Sequence, residues 1–540
     1  MSDISTSPSS KISVWHEREW WFAIGGCALI LAVNLARPLH HDNALYQSIA
    51  WQWVEFGRKL YVGTFDQNFP GILYFHAISC LLFGTSEIGF RVLETALHLL
   101  EAMGIYYLVR RSHKPLTALT AALLSCAIYL SGSDWSVGQR DAFAMVALVF
   151  ATIMYFRLRD HPLRTAMQLC IALVIGLLMG LVILLRPTYA LFAIWLGVIM
   201  LLTLRERRLF IATVYTIGAI GAVAASFWPY LAMPGMMDFI YTALVKFNMD
   251  VYGTSKYRRT PWQADAWKHW SLVIIAVTFS LWVGMRSRSS VRRKDWIARN
   301  TELLLIAGYL AGAFISIVWM GKYFRTHFEP LYQFSVILLA VSIERYFRAN
   351  DKYRTIACIA LLFVSLALFY PWKIAKFYYQ AVRSNAHDRL AFVAAEQYPD
   401  ALSGYRKQVE LASYIRLNSK SSDRVEFACA DPWLSYRTEL ELTSKFTSVM
   451  HIVITKPDGS YPQYEQEWQQ EFLDSIRTIR PKFFVTALGP TPAQDEFLPD
   501  VPSRSLEAIP GYKEMLNSNY SLDTTIGWWL VYRVKPFKDH

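Results

Sequence analysis

The chain is poor in charge. Asp, Glu, Lys and Arg make up only 18% of its 540 residues, against about 25% in soluble chains. With 54% of the residues hydrophobic, that excludes a solvated or disordered protein. Cysteine is scarce as well. Cys27, Cys80, Cys126, Cys170 and Cys358 lie in apolar segments, and Cys429 stands by itself in a polar tail. There is no CxxC or Cys/His spacing, so neither a zinc site nor a disulfide framework is expected. No small-residue cleavage site follows the first apolar run, Trp20 to Ala36, which reads as a retained span rather than a removed leader. No internal repeat appears. The only biased tract is the Ser/Thr-rich start, and residues 1–18 are expected to be a disordered cytoplasmic terminus.

What the chain does have is long apolar runs. A bilayer core is crossed by about twenty apolar residues. The pattern predicts spans at 20–36, 88–109, 115–132, 142–157, 165–185, 188–204, 209–232, 269–285, 302–319, 330–347 and 355–371. The net charge of +12 would suggest nucleic acid in a soluble protein. Here the basic residues cluster between apolar runs, so topology and anionic lipid account for them. Membrane lipids are expected partners and nucleic acid is not.

Orientation rests on five basic loops: Arg110 to Lys114, Arg157 to Arg164, Arg205 to Arg208, Arg286 to Lys294 and Glu344 to Arg354. The positive-inside rule places all five in the cytoplasm. That works only if the short apolar run Gly71 to Gly84 does not cross. Loop 37–87, the other loops between those basic ones, and the tail then share the outer face.

The tail is polar and mixed in charge. "RVEFACA", "HIVITK", "KFFVTAL" and "WWLVYRV" read as short strands, and "YEQEWQQEFLDSIRTI" as an amphipathic helix. The expected fold is an all-α polytopic membrane bundle of about eleven spans over residues 19–372. A C-terminal soluble α/β domain, 373–540, is expected to follow outside the membrane.

Five polar knots sit in the outer loops. "LHHDNALY" carries Asp42 among His41, Asn43 and Tyr46. "GTFDQNFPGILYFH" carries Asp66 and Asn68 before a Pro-Gly break, and "SGSDWSVGQRDAFAM" carries Asp134, Arg140 and Asp141. "LLRPTYA" ends an apolar run at Arg186, and "GKYFRTHFEP" packs Lys322, Tyr323, Arg325, His327 and Glu329 between two spans. Plain readings exist for each. Asp42 is a solvated acid at a helix end, Asp141 a helix N-cap, and Arg140 and Arg186 are interfacial anchors. The functional reading rests on the gathering. Ionisable groups at membrane depth are expensive and usually have work to do. Cations there suit a lipid phosphate, and a carboxylate opposite suits a general base. Inside the 88–109 span, Arg91, Glu94 and Glu101 are expected to face the bundle interior or pair with one another.

In order along the first 335 residues or so, "HHDNALY", "FDQNFPGILY", "LFGTSEIGFR", "GQRDAF", "LLRP" and "GKYFRTHF" resemble the GT-C integral-membrane glycosyltransferases. The likeness is to the protein O-mannosyltransferase and aminoarabinose transferase branch. One departure is Asn43, where many relatives carry a second acid. The resemblance implies inverting transfer of a sugar from a polyprenyl-phosphate donor to a cell-envelope acceptor at the outer face of the cytoplasmic membrane. It makes Asp42 the base and Asp141 a second acid orienting the acceptor or the base. Asp66 and Asn68 would shape the pocket, with His41, Asn43, Tyr46 and Tyr323 beside them. Arg140, Arg186, Lys322 and His327 would hold the phosphate. It requires no cofactor, and a divalent metal is the optional addition.

Two rival classes remain. A lipid-linked glycan flippase or transporter would place charges mid-span on broken helices in inverted repeats. An outer-face ligase or polymerase would move whole glycans from a diphosphate carrier.

Overall fold

The computed structural model describes residues 14–536 except 38, 40, 132–136, 205, 255–265, 287–299, 348–349, 370–400, 430, 457 and 489–501. The expectations for residues 1–13, for Asp134 and for most of the link into the tail lie outside the described residues.

Backbone placed in lipid must satisfy its own N–H and C=O groups, which selects helices. The apolar runs obey this. Helices occupy each segment expected to span: α1 (Val14–Leu31), α4 (Glu87–Arg110), α5 (Pro115–Ser131), α6 (Arg140–Asp160), α7 (Thr165–Leu185), α8 (Ala190–Thr203) and α9 (Arg208–Leu231). α11 (Ala266–Arg286), α12 (Thr301–Met320), α13 (Glu329–Tyr346) and α14 (Asp351–Phe369) complete the set, with the short α10 (Met236–Tyr241) in the loop after α9. Among the described residues, five helices are long and apolar enough to cross a membrane: α4, α6, α7, α9 and α12.

Two further helices lie in the first long loop. α3 (Gly71–Phe83) has 13 residues, about 20 Å at helical rise, and so falls short of a core about 30 Å thick. Its start packs hard on the end of α7. A Cβ at Gly71 would lie 2.6 Å from the Leu184 carbonyl carbon, so only glycine permits this approach, and it brings the 66–70 turn towards Arg186. α2 (His41–Phe56) is more enclosed than an interfacial helix, with Asn43 to Ala50 all buried.

The tail builds a five-stranded sheet in the order β2-β1-β3-β5-β4. β1 (Arg424–Ala428) runs parallel to β2 (Glu441–Leu442) and to β3 (Phe483–Ala487), with Val425 opposite Phe483. β5 (Trp529–Val534) is antiparallel to β3 and to β4 (Tyr520–Ile526). The amphipathic helix forms over Gln463–Ile479. "HIVITK" is not a strand: Met450–Val453 is one helical turn whose Ile452 and Val453 enter a core with Phe65, Phe247 and Trp468. So short an apolar run carries no decisive period, and the packing chose the turn. β2 and β4 were unexpected. β4 is largely exposed and polar between its buried ends, so alternation does not announce it.

The sheet region grips α2. Gln52 donates to the Leu440 carbonyl at 2.9 Å and accepts from the Leu442 N–H at 3.0 Å. Ser48 donates to the Pro432 carbonyl and Trp433 Nε1 to the Leu39 carbonyl at 2.8 Å. Buried Glu87, at the head of α4, takes Arg437 at 2.6 Å and the Tyr436 hydroxyl at 2.8 Å. These contacts hold the tail against the helix that begins with the first acid.

Candidate functional site

Asp42 stands in the first turn of α2. Acids are favoured there by the helix dipole. Its Oδ2 accepts from Gln139 Nε2 at 3.0 Å, and His41 Nδ1 lies 3.6 Å from Oδ1. The His41 ring meets Trp433 of the tail edge-on at 5.7 Å. Asn43 points elsewhere. It is fully buried and donates to the Val137 carbonyl at 2.7 Å. It therefore braces the turn before α6.

The second knot folds on itself. Asp66 Oδ1 accepts from the Asn68 N–H at 3.1 Å and from its Nδ2 at 2.9 Å, the short local closure that Asp favours in turns. Asn68 Oδ1 then takes Arg140 Nη1 at 2.6 Å, and Asn68 Nδ2 faces the Tyr46 hydroxyl at 3.4 Å. Burial pushes the Asp66 carboxyl up to about 7, with Arg140 and the Asn68 hydrogen bonds pulling the other way.

Asp141 and Arg186 form a buried two-point pair. Arg186 Nε and Nη2 each lie 2.6 Å from a carboxylate oxygen, and the Tyr189 hydroxyl donates to the same carboxylate. Both oxygens of Asp141 are therefore engaged. Of the two contacts, the one through Nη2 is a hydrogen bond, and its charge-assisted character strengthens the pair.

The loop between α12 and α13 supplies the rest. Gly321 and Tyr323 both take left-handed φ, 63° and 49°, which turns the chain sharply around Lys322. The Lys322 ammonium sits over the Tyr252 ring at 3.0 Å from its centre. Among the described residues no carboxylate pairs with it. Burial, with Arg140 and Arg186 nearby, pulls its amine down to about 6. His327 is buried, and among the described residues its Nδ1 has no partner. Burial and the charges of Arg186, Lys322 and Arg140 hold its imidazole well below the usual range, so it offers a hydrogen bond rather than a charge. Tyr323 is buried in the main core and contributes shape.

Loops far apart in sequence thus bring together Asp42, Tyr46, Asp66, Asn68, Arg140, Arg186, Lys322 and His327. Sequence reasoning missed three contributors. Gln139 lay in plain sight inside "GQRD". Tyr189 follows Arg186 by three residues. Asp431 of the tail, held by Trp529 Nε1 at 2.8 Å and within the field of His41, had no local signal at all. Asp141 is engaged by Arg186, and among the described residues no three His, Cys, Asp or Glu side chains converge.

The fold and this site define a helical membrane protein whose loops gather cations beside a carboxylate, with a sheet-bearing tail docked on the first of those loops. Residues 67–232 match the family model described as dolichyl-phosphate-mannose-protein mannosyltransferase, a stretch that holds Asn68, Arg140, Asp141 and Arg186. In three dimensions the chain is similar to ArnT from Cupriavidus metallidurans bound to undecaprenyl phosphate. The TM-score is 0.55 at 14% identity, over 96% of this chain and 97% of that one. The apo state of the same enzyme gives 0.54 at 13%, over 97% and 98%. The Archaeoglobus fulgidus oligosaccharyltransferase in complex with Zn and sulfate gives 0.50 at 12%, over 86% of this chain and 68% of that one. No curated protein matches the sequence. The likeness to the GT-C glycosyltransferases read from the motifs is therefore present in the fold and in the family model alike.

Proposed function

We propose that the chain is a membrane glycosyltransferase that moves one sugar from a polyprenyl-phosphate donor to a cell-envelope acceptor, with inversion, at the outer face of the cytoplasmic membrane. The observation that carries this reading is the convergence of Arg140, Arg186, Lys322 and His327, with Lys322 lacking a carboxylate partner, beside the acid Asp42. A buried ammonium depressed by neighbouring cations is a place that gains by receiving an anion. A phosphate oxygen supplies it.

In the reaction the acceptor hydroxyl or amine attacks the anomeric carbon. The bond from that carbon to the phosphate oxygen breaks, and polyprenyl phosphate departs with the electron pair. The acceptor proton passes to the Asp42 carboxylate. The cations stabilise the charge that grows on the departing phosphate. Arg186, held in place by Asp141 and Tyr189, is aimed before substrate arrives. A single displacement inverts the anomeric centre. No metal is required in this scheme, because the cationic side chains supply the charge. The tail, gripping α2 next to Asp42, lies on the acceptor side, outside the membrane.

The test uses the full chain in detergent and its Asp42→Asn variant, each given a panel of polyprenyl-monophosphate sugars and cell-envelope extract. Mass spectrometry follows donor loss and free polyprenyl phosphate. Wild type should consume one donor that the variant binds without turning over. Consumption of no donor would remove the transferase reading and move transport or diphosphate-carrier chemistry ahead of it.

A further inference from the structure

Gln139 has no obvious reason to be where it is. It precedes α6 with an extended backbone, yet its side chain does not cap that helix. It is 3% exposed. Its amide crosses to α2 and donates to Asp42 Oδ2 at 3.0 Å. One residue after Asp42, Asn43 donates to the carbonyl of Val137, two residues before Gln139, at 2.7 Å. Residues 42–43 and 137–139 are therefore stitched together by two side-chain amides, one from each partner.

The turn that carries Gln139 is pinned from beneath. Gly138 has φ +78°, and a Cβ there would stand 2.7 Å from Asn43 Nδ2 and 3.0 Å from Glu94 Oε1. Its N–H donates to the Tyr129 hydroxyl at 3.1 Å, and that hydroxyl donates to Glu94 Oε1. Glu94 Oε2 accepts from Arg91 Nη1 at 2.6 Å and from Asn34 Nδ2 at 2.8 Å. Arg91 Nε in turn donates to the Arg37 carbonyl at 3.0 Å. Arg91 and Glu94 are wholly buried. A rigid interior ion pair thus sets a tyrosine, the tyrosine sets a glycine turn, and the turn aims a glutamine at Asp42.

We infer that Gln139 is a positioning residue for Asp42, and that Tyr129 with the Arg91–Glu94 pair is the fixed mount that sets it. An amide donor on one oxygen sets the rotation of a carboxylate and favours its ionised form, the form that takes a proton. The inference rests on the proposed role of Asp42 as the base.

Full-length Gln139→Ala and Tyr129→Phe are compared with wild type and with Asp42→Asn, using donor turnover, donor KM and the pH profile of kcat. Gln139→Ala should lower kcat about 100-fold, the scale of a misplaced reacting group, and leave donor KM within about twofold. The acid limb of its profile should move to higher pH, because the donor that favoured the ionised base is gone. Arg140, Asp66 and His41 also face Asp42 and are unchanged, so the movement is read directly against wild type. Tyr129→Phe should lower kcat about tenfold with the same KM, a smaller effect because it acts through the turn. A merely structural role would shift thermal unfolding without moving the acid limb. Turnover and acid limb unchanged in Gln139→Ala, with Asp42→Asn inactive, would overturn the positioning role and leave the transferase reading standing. Full turnover in Asp42→Asn would instead sink the reading beneath it.

Discussion

Two polar knots lie close together in this molecule and are built on opposite terms. The inner knot pairs Arg91 with Glu94, and the carboxylate also receives Asn34 and Tyr129. Every charge there is answered by another side chain. The outer knot brings Arg140, Lys322 and His327 around the Arg186–Asp141 pair, and Lys322 meets an aromatic ring rather than an acid. The first arrangement is complete as it stands. In the second, no carboxylate pairs with Lys322 among the described residues, and the proposed lipid phosphate would meet it there. Burial by itself therefore does not separate a structural charge from a functional one; the satisfaction of its partners does.

Removing one charge from each knot gives the largest contrast. Glu94→Gln leaves the fully buried Arg91 without its carboxylate, and breaking such a pair costs about 3–5 kcal/mol. Thermal unfolding in detergent should show a steep loss. Lys322→Met removes an unpaired, partly buried ammonium and should leave the melting temperature unchanged or raised. Its affinity for polyprenyl phosphate should fall about tenfold, the loss of one charge-assisted contact. A destabilised Lys322→Met with intact lipid affinity would erase the distinction between the knots.

Proton linkage sharpens the same comparison on a smaller scale. With its amine down at about 6, Lys322 is mostly neutral at pH 8, and a phosphate beside it favours the charged form. Binding of polyprenyl phosphate at pH 8 should therefore take up a proton. Calorimetry in buffers of different ionisation enthalpy would show it, and the uptake should vanish in Lys322→Met. Equal binding heats across buffers in wild type would contradict this.

Asp66 gives the mildest effect. Its carboxyl is raised from 3.8 to about 7 in the folded chain, so between those values the folded state holds a proton the unfolded state has lost. Stability should be greatest below pH 4 as far as this group is concerned and should decline as pH rises through 7. Asp66→Asn should flatten that part of the stability profile measured between pH 4 and 8. A slope that survives the substitution would assign it to another group.

Much of this was legible in the chain. The spacing of apolar runs places the helices, the short Gly71–Phe83 among them. Arg91 and Glu94 could be read as interior charges because they sit three apart on one helix face. Asp42, Asp66, Arg140, Arg186 and Lys322 could be picked out because charges at the mouths of apolar helices are conspicuous. Less legible was what each one touches. Nothing near Asn43 in sequence announces that it braces Val137, 94 residues away. Asp141 read as a helix N-cap or an orienting acid, and the structure sets Arg186 and Tyr189 on its carboxylate. "HIVITK" looked like a strand, yet aromatic packing against Phe65 and Trp468 made it a helical turn.

The sequence by itself determined which long apolar segments are helical and which loops carry charge, because both follow from local composition and period. Only the tertiary structure decided which charges are paired with one another. That depends on side chains such as Gln139 and Asp42, 97 residues apart, meeting at hydrogen-bond distance. Such meetings are set by how helices pack, and no local pattern records them.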